Sequence, residues 1–153
     1  MTRTDDVIDS PLSIILVEDD DGDAKAVTRA FSRLDGQCSI LRVRDGIEAL
    51  ALLRGESGRA PRNYVLIADL NLPRMGGIEL LRKIRDDPDL HRAVAFVMST
   101  SADDRDVTAA YAYQVAGYIL KHKAGRDFGS LVTTIDQFWR LVELPDMGGA
   151  AGD

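Results

Sequence analysis

The chain has 153 residues, enough for one domain with a substantial core. Hydrophobic residues make up 45% and charged residues 29%, and the formal net charge is −6, which argues against non-specific nucleic-acid binding because that needs a basic face. The single cysteine, Cys38, excludes an internal disulfide and disfavours a cysteine-based metal site, so a reducing, cytoplasmic setting is the natural expectation.

Residues 1–11 read as a flexible tail without the apolar core of a signal peptide, and no stretch approaches the ~20 apolar residues of a membrane span. Leu12 to Val17 reads as a fully buried strand. A helix follows with Ala24, Val27, Phe31 and Leu34 on one face, ended by Gly36. Cys38 to Val43 is the second strand, Asp45-Gly46 a turn, and Ile47, Leu50 and Leu53 mark a short helix. Pro61 introduces the strand Tyr64 to Ala68. Gly76-Gly77 break the chain before a helix with Ile78, Leu81 and Ile84, which Asp87-Pro88 stops. Ala93 to Met98 is a fourth strand, Val107, Ala110, Tyr111 and Val115 mark a helix, and Gly117 to Leu120 is a short fifth strand. Phe128, Leu131, Val132, Ile135, Trp139 and Val142 carry the clearest helical period, ended by Pro145, and residues 146–153 read as a second loose tail.

Strands alternating with helices imply a parallel sheet covered on both faces. Ligands of such sheets bind beyond the carboxyl ends of the strands. The residues found there are Glu18, Asp19 and Asp20; Asp69 and Asn71; Ser99 and Thr100; and Lys121. Clustered carboxylates and a nearby carbonyl are hard oxygen ligands that suit Mg²⁺. Asp69 alone is a poor nucleophile toward phosphate, because like charges repel. A divalent ion and the Lys121 ammonium would remove that obstacle. A strand-end Asp also serves as a cap or turn former, and Asp20, Asp21 and Asp23 read as solvated surface that complements a helix N-terminus. His91 and His122 read as solvated loop residues, and Cys38 as a small buried strand residue.

Five segments, in order and correctly spaced, resemble the receiver domain of two-component response regulators. They are Ile15-Leu-Val-Glu-Asp19, Asp45-Gly-Ile-Glu-Ala-Leu50, Asp69-Leu-Asn-Leu-Pro73, Met98-Ser-Thr-Ser101 and Gly117-Tyr-Ile-Leu-Lys121. The resemblance covers residues 12–145 and implies a flavodoxin-like, doubly wound, five-stranded parallel sheet of order 2-1-3-4-5. It implies that Asp69 accepts a phosphoryl group from a histidine kinase. It also implies that Asp19, Asp69 and the carbonyl of Asn71 ligate Mg²⁺, with Glu18 acting mainly through water. Lys121, Ser99 and the N–H of Thr100 would hold the phosphoryl oxygens. Tyr118 would be an aromatic switch coupled to Ser99, changing the surface of the fourth helix, fifth strand and fifth helix. Asn71 and Ser101 would tune the lifetime of the phosphoryl group. Phe138-Trp-Arg-Leu-Val-Glu-Leu-Pro145 is similar to the tail of short, single-domain regulators that act with bacterial phytochrome kinases, so no output domain, membrane or nucleic acid is expected.

Two positions depart from the family. Lys121 is followed by His122 rather than proline, and a cis bond before a non-proline residue costs about 3–4 kcal/mol. The expectation is a trans bond with a rerouted loop, or a strained cis bond. Gly76 stands where many relatives carry Asp. The tail residues Phe138, Trp139, Leu141, Val142 and Leu144 are too dense for one helix face, which suggests a homodimer involving the last helix or the surface of the fourth helix, fifth strand and fifth helix. Three other functions compete. A haloacid-dehalogenase-type phosphatase wants an acid where Asn71 stands. A flavodoxin-like cofactor binder wants a Ser/Thr/Gly-rich first loop, not Glu18-Asp-Asp-Asp-Gly-Asp23. A pseudo-receiver would bind partners without being phosphorylated.

Overall fold

In the computed structural model, which describes residues 12–34 and 38–148, one sheet is built from β1 (Leu12–Val17), β2 (Cys38–Val43), β3 (Tyr64–Asp69), β4 (Val94–Ser99) and β5 (Gly117–Leu120). All neighbours are parallel, in the order β2-β1-β3-β4-β5. The direction of winding reverses between β1 and β3, so a crevice opens beyond their carboxyl ends. The connecting helices are α1 (Asp21–Phe31), α2 (Gly46–Leu53), α3 (Gly77–Asp86), α4 (Asp104–Ala112) and α5 (Gly129–Leu141).

β1 and β3 are buried at every position, because alternate side chains feed two cores. Ile14, Leu16, Val65, Ile67, Phe96 and Met98 face α1 and α5, where Val27, Phe31, Leu131 and Ile135 meet them. Ile15, Val17, Leu66, Ala68, Ala95 and Val97 face the other side, against Ala49, Leu53, Leu80, Leu81 and Ile84 of α2 and α3. The edge strands β2 and β5 are half-buried throughout. Acidic caps start the helices directly after the strands: Asp20 accepts from Asp23 N–H, Asp45 from Glu48 N–H and Asp103 from Arg105 N–H. Gly77 is required where α3 leaves the crevice, since a Cβ there would stand 2.6 Å from the Asp69 carbonyl oxygen.

Several sequence-based expectations change. Gly36 and residues 1–11 and 149–153 lie outside the described residues. In α1 the buried face includes Ala30, and Leu34 belongs to a following 3-10 turn. α4 buries only Ala110, and Val115 is buried beyond the helix end, because the chain turns at Gln114 with φ 57°. Phe128 caps α5 in a left-handed conformation (φ 61°), and Val142 leaves it in an extended one. Leu144 is therefore not on the helix at all and packs into the α1/α5 core beside Phe138 and Trp139. Phe138 meets Phe96 edge-on at 5.4 Å. Asp146–Gly148 are not loose, since Asp146 pairs with Arg62 at 2.8 Å and Met147 N–H donates to the Arg62 carbonyl at 2.8 Å. Cys38 is half-buried, and burial raises its thiol to about 12.

Candidate functional site

Glu18 follows β1, Asp69 ends β3 and Lys121 follows β5, and the crevice between them draws the three side chains together. The Lys121 ammonium donates to Glu18 Oε1 at 2.9 Å, Asp23 Oδ2 at 2.7 Å and Asp69 Oδ2 at 2.7 Å. Glu18 is fully buried and Asp69 is 7% exposed. The second oxygen of Asp69 accepts the Asn71 N–H at 2.9 Å, and that of Glu18 accepts the Asp20 N–H at 3.1 Å. One positive charge serves three carboxylates. Burial drives the Glu18 carboxyl up to about 7, with its bond to Lys121 opposing the shift. For Lys121, burial works against the charged form, but the bonds to Asp23, Asp69 and Glu18 outweigh it and hold the ammonium above the usual lysine range. The two shifts agree physically: Lys121 gains three partners, while Glu18 gains a share of one.

The Lys121–His122 bond is trans, there being no cis peptide bond among the described residues, and Lys121–Lys123 form a 3-10 turn. Of the two alternatives open from sequence, the trans bond is the one present. The ammonium lies within hydrogen-bond distance of Asp69.

Ser99, at the end of β4, is fully buried, and its hydroxyl accepts the Ser101 N–H at 3.0 Å. Ser101 Oγ in turn donates to Asp106 at 2.7 Å. Tyr118 donates its hydroxyl to the Ser101 carbonyl at 2.8 Å, and its own N–H to the Tyr111 hydroxyl at 3.2 Å. The two residues singled out as a switch thus hold the same loop residue. Thr100 and Asn71 are exposed at the rim, as is Asp19. As the side chains stand, no group of three His, Cys, Asp or Glu residues among the described residues is disposed to hold a metal ion. The ammonium has taken a carboxylate oxygen from each of Glu18, Asp23 and Asp69. His91 and His122 are exposed.

Two contributors escaped the sequence reading. Asp23 reads from sequence as a solvated acid, yet it reaches Lys121; its position four residues before buried Val27 places it on the inward face of α1 and is the available signal. Arg42 of β2 donates Nε to the Glu18 carbonyl at 2.8 Å and an Nη to Asp21 at 3.0 Å. No local pattern marks it, because its partners lie on a different segment, between the end of β1 and the start of α1.

This arrangement, with a strand-end carboxylate under a lysine ammonium at the switch point of a 2-1-3-4-5 sheet, defines a class of signalling domain. The chain belongs to the response regulator receiver domain family, whose model matches residues 14–133. It is 38% identical over 140 residues to the response regulator Rcp1 of Synechocystis sp., covering 88% of this chain and 94% of that one. Among solved structures, the Mn²⁺-bound form of Rcp1 superposes with a TM-score of 0.76 at 33% identity, covering 87% of this chain and 98% of that one. The phosphorylated cyanobacterial phytochrome response regulator RcpA gives a TM-score of 0.78 at 33% identity, covering 88% and 98%. Family membership selects the receiver reading over the phosphatase and flavin-binding ones. No helix among the described residues is long and apolar enough to cross a membrane.

Proposed function

We propose that this receiver accepts a phosphoryl group on Asp69 from the phosphohistidine of a histidine kinase. The observation that carries the reading is the 2.7 Å contact between the Lys121 ammonium and Asp69, made inside a buried acidic crevice. An Asp69 oxygen forms the new bond to phosphorus as the bond from phosphorus to the imidazole nitrogen breaks, and the imidazole leaves with the electron pair. Lys121 stands where it can follow the transferred oxygens. Ser99 and the Thr100 N–H supply further donors once Ser99 releases the Ser101 N–H. Because Tyr118 holds the carbonyl of the same Ser101, movement there is transmitted to α4, β5 and α5, the surface that signals.

The donor set fits a divalent cation. Glu18, Asp23 and Asp69 share one ammonium, so fully ionised they leave two negative charges; Asp19 follows Glu18 in the chain, and the Asn71 N–H is bonded to Asp69. Asp19, Asp69 and the Asn71 carbonyl would hold Mg²⁺, with Glu18 behind them. When bound, the ion offsets the repulsion between carboxylate and phosphate. The Mn²⁺ form of the relative Rcp1 supports a divalent ion here, and the phytochrome association of RcpA supports a light-sensing kinase as the partner.

Asp69→Asn should abolish labelling by a small phosphodonor in the presence of Mg²⁺, as read on a phosphate-affinity gel. Full labelling of that variant would refute the assignment. We also propose self-association through the α4-β5-α5 surface or the end of α5, where Leu141 is 87% and Val142 37% exposed. Light scattering at tens of micromolar should find a dimer; a monomer with and without phosphorylation would remove this element.

A further inference from the structure

The loop between β3 and α3 carries Asn71, whose carbonyl belongs to the metal set above, and it is tied to the β2–α2 junction by an ion pair outside that set. Arg74 Nε donates to Asp45 Oδ2 at 2.7 Å. Asp45 is 3% exposed, while the Arg74 side chain is 56% exposed. Arg74 sits at φ 61°, a left-handed backbone that L residues other than Asn and Asp seldom adopt. A residue held in that region requires surroundings that over-determine it. Asp45 supplies them, because it is itself fixed as the α2 cap by Glu48 N–H at 3.0 Å. Beside the pair, Gly46 N–H donates to the Met75 carbonyl at 3.3 Å, and the fit there is close, since a Cβ on Gly46 would stand 2.8 Å from the Met75 side chain.

We infer that the Arg74–Asp45 pair is a positioning clamp, which sets the β3–α3 loop so that the Asn71 backbone stays beside Asp69 at the acidic crevice. Neither residue touches the phosphoryl site. They act through the loop, as outer-shell partners orient the groups that ligate a metal. The inference rests on the reading of a divalent-ion-dependent acceptor, but the order it imposes on residues 70–77 can be tested without the ion.

Three variants separate positioning from general stability. Arg74→Gly removes the guanidinium but relieves the left-handed backbone. Asp45→Asn keeps a capping side chain but removes the charge. Arg74→Lys keeps the charge but loses the planar fork. Mn²⁺ binding is measured from loss of the free-ion paramagnetic resonance signal, alongside thermal unfolding and amide exchange of metal-free protein. Arg74→Gly and Asp45→Asn are expected to weaken Mn²⁺ affinity about tenfold, with Arg74→Lys between them and the wild type. Amides of Asn71, Met75 and Gly77 should exchange faster in both of the first two, while Arg74→Gly unfolds near the wild-type temperature. Wild-type affinity in Arg74→Gly and Asp45→Asn would overturn the clamp, as would unchanged loop exchange. If the wild type itself fails to bind Mn²⁺, the divalent-ion reading falls, and the exchange measurement still decides whether the pair orders the loop.

Discussion

At the carboxyl ends of β1, β3 and β5, three carboxylates crowd one ammonium. Near the amino ends of β4 and β5, one guanidinium does the reverse. Arg85, in the last turn of α3, donates to the main-chain carbonyls of His91, Ala93, Tyr113 and Gln114 at 2.6, 2.7, 2.7 and 3.0 Å. There every named acceptor is a neutral carbonyl, and Arg62 pairs with Asp146 at 2.8 Å. One end is left short of positive charge and can respond to a cation or a phosphoryl group. At the other the guanidinium is engaged by main-chain carbonyls and holds the fold. Stability and reactivity therefore reside at opposite edges of one sheet, and substitutions at the two edges should fail in different ways.

The largest expected effect on stability tests that separation directly. Arg85→Ala strands four carbonyl acceptors, and urea denaturation should register a loss of about 3 kcal/mol. Labelling of Asp69 in the folded fraction should persist. A variant that keeps its stability but cannot be labelled would break the comparison. Gly77→Ala should blur it, because the new Cβ meets the Asp69 carbonyl at 2.6 Å and the Leu70 Cα at 2.9 Å, both backbone atoms. Denaturation should detect about 2 kcal/mol of destabilisation, and the labelling rate should fall in the same protein, since the strand end that carries the acceptor must shift.

The smallest expected effect depends on pH. Burial opposes ionisation of Asp45, but Glu48 N–H and the Arg74 guanidinium outweigh it and hold the carboxyl below the usual Asp range. A group whose folded-state pKa is depressed stabilises the fold above its unfolded value, and that stabilisation fades as pH falls through the folded one. Wild type should thus exceed Asp45→Asn in stability near neutrality, and the gap should close as pH falls below the ordinary Asp range. Parallel unfolding curves across that range would show that the pair carries no charge-linked stability.

Much of the fold was legible because buried parallel strands are continuous apolar runs. Leu12–Val17 and Tyr64–Ala68 are legible in that way, and so are the acids that follow them, with Asp69 itself the last residue of its strand. Less legible were α4 and the end of α5. In α4 an exposed Tyr111 sits at a periodic position because its hydroxyl bonds Tyr118 N–H rather than filling a core. At the end of α5, Leu144 looked like a further turn of helix and instead packs inward after the chain has become extended at Val142. Periodicity records apolar spacing, and it cannot tell a helix face from a strap that folds back.

By itself the sequence determined that Glu18, Asp69, Ser99 and Lys121 stand at strand ends, because hydrophobic runs and the polar residues that stop them are local chain properties. Tertiary structure alone decided that Asp23 completes the hold on Lys121, that Arg42 braces Glu18, and that Arg74 reaches Asp45. These contacts join residues far apart in the chain or on separate elements. Long charged side chains choose their partners by burial and distance, and neither quantity exists until the sheet has assembled.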